Sequence, residues 1–90
     1  MLVTVSIQVK GKVQGVFYRK SAREKAQELG LSGKVKNMED GSVSIKATGS
    51  RDRIDQLIAW CWQGPLRAEV TGVDVKELPL ELFDHFTIEK

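Results

Sequence analysis

Cysteine and histidine each occur once, as Cys61 and His85, in a chain of 90 residues. One cysteine excludes an intrachain disulfide and any multi-cysteine zinc site. One histidine excludes a paired-histidine metal motif. No apolar run approaches the ~20 residues that a membrane-crossing helix needs. The opening Met1-Leu2-Val3-Thr4-Val5-Ser6 alternates, with no basic region leading into an apolar block. No signal peptide is expected, and cytoplasm is the default compartment. Charge of one sign is scarce too. Fourteen Lys+Arg against twelve Asp+Glu leave a net charge of +2, too weak and too mixed to argue for nucleic acid. An enzyme made from this chain works without a Cys–His pair, a histidine-rich metal site or a nucleotide fingerprint. Its tools are Arg, Asn, carboxylates, hydroxyls and backbone amides.

What is present suits one domain over residues 1–90, since domains run from about 50 to 250 residues. A 41% hydrophobic and 29% charged composition is that of a soluble globular domain. A monomer is the default, with neither nucleic acid nor membrane as partner. The first strand is clear: Val3, Val5, Ile7 and Val9 alternate with Thr4, Ser6, Gln8 and Lys10, one set toward the core and one toward water. A glycine-bearing loop, 11–17, follows. Tyr18, Ala22, Ala26 and Leu29 then form a helical stripe, which Gly30 ends, predicting a helix over about 18–29. A short strand over 33–38, a turn at Glu39-Asp40-Gly41 and a strand over 42–48 come next, with Gly49-Ser50 as the break and Ser50 as a helix N-cap. Ile54, Leu57, Ile58 and Cys61 set a second helix over about 51–62, ended by Gly64-Pro65. Val70, Val73 and Val75 lie in a fourth strand, where the spacing of three then two suggests a bulge or a late start. Phe86 and Ile88 mark a short terminal strand.

The order is β-α-β-β-α-β with an extra C-terminal strand. This is an α+β, ferredoxin-like sandwich, an antiparallel-rich sheet with both helices on one face. In that topology the first two strands run parallel with the third between them, so their C-terminal ends share one edge of the sheet.

That edge is where chemistry can sit. The loop over 11–17 leads from a strand into a helix N-terminus, which offers unpaired amides and a partial positive charge. Arg19 stands in the first turn, where helix stability alone prefers Asp or Glu. A bound anion reverses that penalty, and a guanidinium adds a bidentate fork. Asn37 shares parity with Val35 and ends the second strand, which brings it toward Arg19. An amide both donates and accepts, as holding a water beside an oxyanion requires. The residues alone leave other readings open: Arg19 as a solvated side chain, Asn37 as a turn former, and the loop as a plain turn. Lys10, Lys12, Lys20 and Arg23 gather near the loop, as an anion-attracting cluster or a solvated face. Cys61 reads as inert core, His85 as a surface or strand-edge residue, and Trp60 and Trp62 as covers of the core rim.

At Gly11-Lys12-Val13-Gln14-Gly15-Val16-Phe17-Tyr18-Arg19 the chain resembles the acylphosphatase family's first signature. Gly33, Val35, Asn37, Gly41, Val43 and Gly49 are similar to the second in spacing. Tyr18 stands where the family mostly has Phe, and only a packing adjustment is expected there. Lys34 replaces a common aromatic on the outer face, and Met38 stands where some members carry Thr. The resemblance implies hydrolysis of an acyl phosphate, a small-molecule substrate, to carboxylate and phosphate, with no metal and no cofactor. It implies a phosphate site at Gly15, Val16, Phe17, Tyr18 and Arg19, and a catalytic pair of Arg19 for the phosphate and Asn37 for the attacking water. An RNA-binding module shares the strand order, but the open face lacks the aromatics that stack bases. The alternative is a non-catalytic, small-anion-binding regulatory module of the same fold.

Overall fold

Alternating Val5, Ile7 and Val9 bury one side of β1 (Leu2–Lys12), an interior strand of the sheet. The computed structural model describes residues 1–89. The remaining elements are α1 (Tyr18–Glu28), β2 (Ser32–Asn37), β3 (Val43–Ser50), α2 (Arg51–Gln63), β4 (Glu69–Leu78) and β5 (Phe86–Glu89). They make a five-stranded sheet in the order β4-β1-β3-β2-β5. β3 pairs antiparallel with both β1 and β2, so β1 and β2 run parallel. β5 joins β2 in parallel at the far edge.

The helices bury the stripes expected of them. Tyr18, Ala22 and Ala26 of α1, and Ile54, Leu57 and Cys61 of α2, meet Val35, Val43, Ile45 and Ala47 of the sheet in one apolar core. α1 lies over β2 and β5, and α2 over β1, β3 and β4. Burying each large aliphatic side chain stabilises the fold by roughly 1.5–3 kcal/mol. The bulge in the fourth strand is present: Lys10 faces Gly72 but Gly11 faces Val70, which leaves Thr71 without an opposite number.

Three expectations are corrected. Gly49-Ser50 does not break the third strand. Gly49 pairs with Val3 and Ser50 with Leu2, so β3 reaches the first residue of α2. Gly49 is small for another reason: a Cβ there would fall 2.1 Å from Leu31 Cδ2. Ser50 holds the N-cap position, but its side chain makes no capping hydrogen bond. Thr4 does not face water. The segment between β4 and β5 crosses over it, and Thr4 is fully buried with Thr48. Thr48 Oγ1 donates to the Glu81 carbonyl at 2.6 Å, and the Glu81 N–H donates to Thr4 Oγ1 at 2.9 Å. This crossing carries the chain to the β2 edge, where the Gly33 N–H donates to the His85 carbonyl and β5 begins.

Candidate active site

The loop between β1 and α1 has an unusual backbone. Gly15 has φ of +74° and Phe17 has φ of +64°, both left-handed. Glycine adopts this region freely, whereas a phenylalanine there is strained. Left-handed residues interleaved with other conformations are how anion-binding nests aim successive N–H groups at one point. α1 then starts without help: Phe17 occupies its N-cap position, no side chain caps it, and its first turn holds no acidic residue. Among the described residues, the N–H groups of Gly15 to Lys20 meet no carbonyl acceptor. The loop therefore offers a run of unspent donors beside the positive end of a helix. A Cβ on Gly15 would meet nothing within 4 Å, so the space in front of this backbone is open.

That space belongs to a cavity of about 300 Å³. Arg19 and Asn37 both line it, with Lys20 beside them. Phe17 and Ile88 supply apolar wall, and the buried Val13 lies behind it. The half-buried Arg19 is anchored by Nη1, which donates to the Glu89 carbonyl of β5 at 3.2 Å. One face of the guanidinium fork is thus spent on the terminal strand while the side chain borders the cavity. Asn37 ends β2 and is exposed, with Val35 of the same parity fully buried in the core. Of the five loop residues expected to hold phosphate, Gly15, Phe17, Tyr18 and Arg19 border the cavity, whereas Val16 is buried in the core and does not line it.

Gln14 has a part that sequence reasoning missed. Its Nε2 donates to the Met38 carbonyl at 2.8 Å and to the Ser42 carbonyl at 2.9 Å. One side chain thereby ties the loop to the turn that follows Asn37. The turn is braced from within. The Met38 N–H donates to the Ser42 carbonyl at 2.8 Å, and Asp40 Oδ1 accepts from the Ser42 N–H at 2.9 Å and from its hydroxyl at 2.6 Å. The hydroxyl and N–H of Ser42 hold the Asp40 carboxyl below its ordinary range. An amide in a glycine loop was a visible signal of unspent donors. Its partners, 24 and 28 positions away, were not visible.

Tyr18 is more than a packing variant. Its hydroxyl donates to the Cys61 carbonyl at 2.8 Å in the interior. Cys61 lies in the last turn of α2, where carbonyls lack intrahelical partners, so the first residue of α1 caps the end of α2. Burial and this contact push the Tyr18 phenol well above its ordinary pKa. Burial likewise pushes the Cys61 thiol up to about 12, as an inert core residue requires. Trp60 packs against Tyr18 with ring centroids 5.3 Å apart. Trp62 is 54% exposed and does not close the core rim. Of the basic cluster, Lys20 reaches the cavity, whereas Lys10 is paired with Asp74 at 2.9 Å. Lys34 faces outward and pairs with Glu89.

Residues 5–88 match the family model described as Acylphosphatase. The chain is 53% identical over 74 residues to an acylphosphatase of Methylococcus capsulatus, a stretch that covers 82% of this chain and 80% of that relative. It superposes on the structure of an acylphosphatase from Coxiella burnetii with a TM-score of 0.95 and 43% identity, over 98% of this chain and 93% of that one. The crystal structure of acylphosphatase from Bacillus subtilis gives a TM-score of 0.95 at 34% identity, with 100% of both chains covered.

Proposed function

The chain belongs to the acylphosphatase family of hydrolases, and from that premise we propose that it transfers the phosphoryl group of a small acyl phosphate to water at the cavity between Arg19 and Asn37. One observation carries the proposal: an arginine, an asparagine and a run of unspent loop amides border the same open space.

The chemistry asks little of a protein base. An acyl phosphate releases a carboxylate, which leaves without general-acid help. A guanidinium has no acceptor atom, so Arg19 acts by charge and by hydrogen bonding. The amides of Gly15 to Arg19 and the Arg19 fork hold the non-bridging phosphoryl oxygens, at the positive end of α1. Asn37 orients a water in line with the bond to the acyl oxygen. As the water oxygen bonds to phosphorus, the bond to the acyl oxygen breaks and its electron pair leaves as carboxylate. Both protons of the water remain on the phosphate product. Catalysis is then positioning and electrostatic stabilisation of a phosphoryl transfer. Every group used belongs to one copy of the chain, and the scheme assigns no step to a metal or cofactor.

The test is hydrolysis of benzoyl phosphate with excess chelator, for wild type, Arg19→Ala and Asn37→Ala, each shown to be folded. Loss of one oxyanion donor costs ~10²–10³ in rate, so each variant should fall by at least that much. A near-wild-type rate in folded Arg19→Ala overturns the mechanism. A folded wild type that binds phosphate but does not turn over acyl phosphate is a small-anion-binding module instead.

A further inference from the structure

Phe17 carries two costs that the fold does not return. Its ring is 75% exposed and gains little burial from folding. Its φ of +64° lies where a non-glycine residue is strained, and no side-chain cap compensates. The ring is outside the apolar core, which takes Val16 and Tyr18 on either side of it. A glycine at position 17 would avoid both costs.

The ring does have a place in the site. Phe17 borders the same cavity as Arg19 and Asn37. Ile88 of β5, half-buried, borders it as well, whereas Val13 is taken up by the core. The polar groups of the cavity suffice for the phosphoryl half of a substrate. The apolar part is left over, and an acyl phosphate has a matching half. The Phe17 N–H is one of the unspent loop donors, so a phosphoryl group held by the loop brings its acyl substituent within reach of the residue that carries the ring.

We propose that the exposed Phe17 ring, with Ile88 beside the same cavity, is the acyl-contacting surface of this site, so that Phe17 sets how far an aromatic acyl group is favoured over acetyl. The inference rests on the phosphoryl-transfer reading above and adds to it a residue that governs the choice of acyl group. Phe17 in this role is a specificity-determining residue. The bond-breaking step is unchanged by it.

The test compares, within each protein, kcat/KM for benzoyl phosphate and for acetyl phosphate. The ratio cancels any loss common to both substrates, including a disturbed loop amide. Phe17→Gly removes the ring and accepts the left-handed backbone. Phe17→Leu removes the ring and keeps apolar bulk, and it supplies the reading if the glycine variant does not fold. Phe17→Tyr keeps a ring. Aromatic contacts contribute on the scale of about three- to tenfold in an equilibrium. The benzoyl-to-acetyl ratio should therefore fall about three- to tenfold in Phe17→Gly, fall less far in Phe17→Leu, and stay near wild type in Phe17→Tyr. The drop should come from a higher KM for benzoyl phosphate. An unchanged ratio in the ring-less variants overturns the acyl-surface proposal and leaves the phosphoryl-transfer reading standing. A folded wild type that hydrolyses neither substrate overturns both.

Discussion

Replacing Tyr18 by Phe removes one oxygen atom from the interior and little else. The ring stays, with its contact to Trp60 at 5.3 Å between centroids. What goes is the hydrogen bond from the hydroxyl to the Cys61 carbonyl, 2.8 Å long and buried. A net hydrogen bond contributes about 0.5–1.5 kcal/mol, and a stranded buried acceptor costs about 1–3 kcal/mol. The neighbouring carbonyl of the same helix end, on Trp60, already accepts from the Gly64 N–H at 2.8 Å. No second donor to the Cys61 carbonyl is present among the described residues. The expected loss is therefore about 1–2 kcal/mol. With a melting entropy of about 2.1 cal/mol/K per residue, a chain this size has about 0.19 kcal/mol/K in total, and Tm falls by about 5–10 °C. Thermal unfolding followed by circular dichroism reads the shift. Urea unfolding should show a lower midpoint at unchanged slope, because the area exposed on unfolding is the same. A Tm change under about 2 °C, or a changed slope, refutes the claim that this contact joins the two helices.

Gln14→Ala cuts both bonds between the loop and the turn after Asn37, and misplacement on the scale of 1 Å costs ~10²-fold. Benzoyl phosphate turnover should fall about ten- to a hundredfold, mainly in kcat, as steady-state kinetics will show. Gln14→Glu should fall at least as far, since its carboxylate faces two carbonyl oxygens. Cys61 should resist a thiol reagent at about pH 8 in the native protein and react once urea unfolds it, because the thiolate is the reactive form. The same raised pKa fixes a sign for stability. The unfolded thiol ionises near 8.5, while the folded one stays protonated up to about 12. Its contribution is fully present below the unfolded value and is lost as pH rises toward the folded one, and the raised Tyr18 phenol acts in the same direction. Urea midpoints should fall steadily above about pH 8.5, and a flat profile to about pH 11 contradicts the burial of both groups.

The parts of the molecule that local pattern governs are legible in the sequence. Val5, Ile7 and Val9 alternate because one face of β1 is buried. Tyr18, Ala22, Ala26 and Leu29 share a stripe because one side of α1 is covered. The meeting of Arg19 and Asn37 followed from topology, since parallel strands present their ends at one edge of the sheet. The features that escaped are set by residues far apart in the chain. Gly49 looks like a strand breaker in isolation, yet its pairing with Val3 and the nearby Leu31 side chain carry the strand through it. Thr4 looks solvent-facing until the Glu81 segment crosses it from 77 positions away. The grips of Gln14 on the turn and of the Glu89 carbonyl on Arg19 are equally non-local. The strain at Phe17 is a backbone property, and a side chain type that rarely adopts φ of +64° gives no hint of it.

The central claim is that the loop amides and Arg19 grip the phosphoryl half, so that the water on Asn37 attacks phosphorus. Hydrolysis of benzoyl phosphate in oxygen-18 water tests it most directly, with the non-enzymatic background subtracted and both products analysed by mass spectrometry. The label is expected in inorganic phosphate, with benzoate unlabelled. Label in benzoate would place the attack on the carbonyl carbon and contradict the assignment of Arg19 and Asn37.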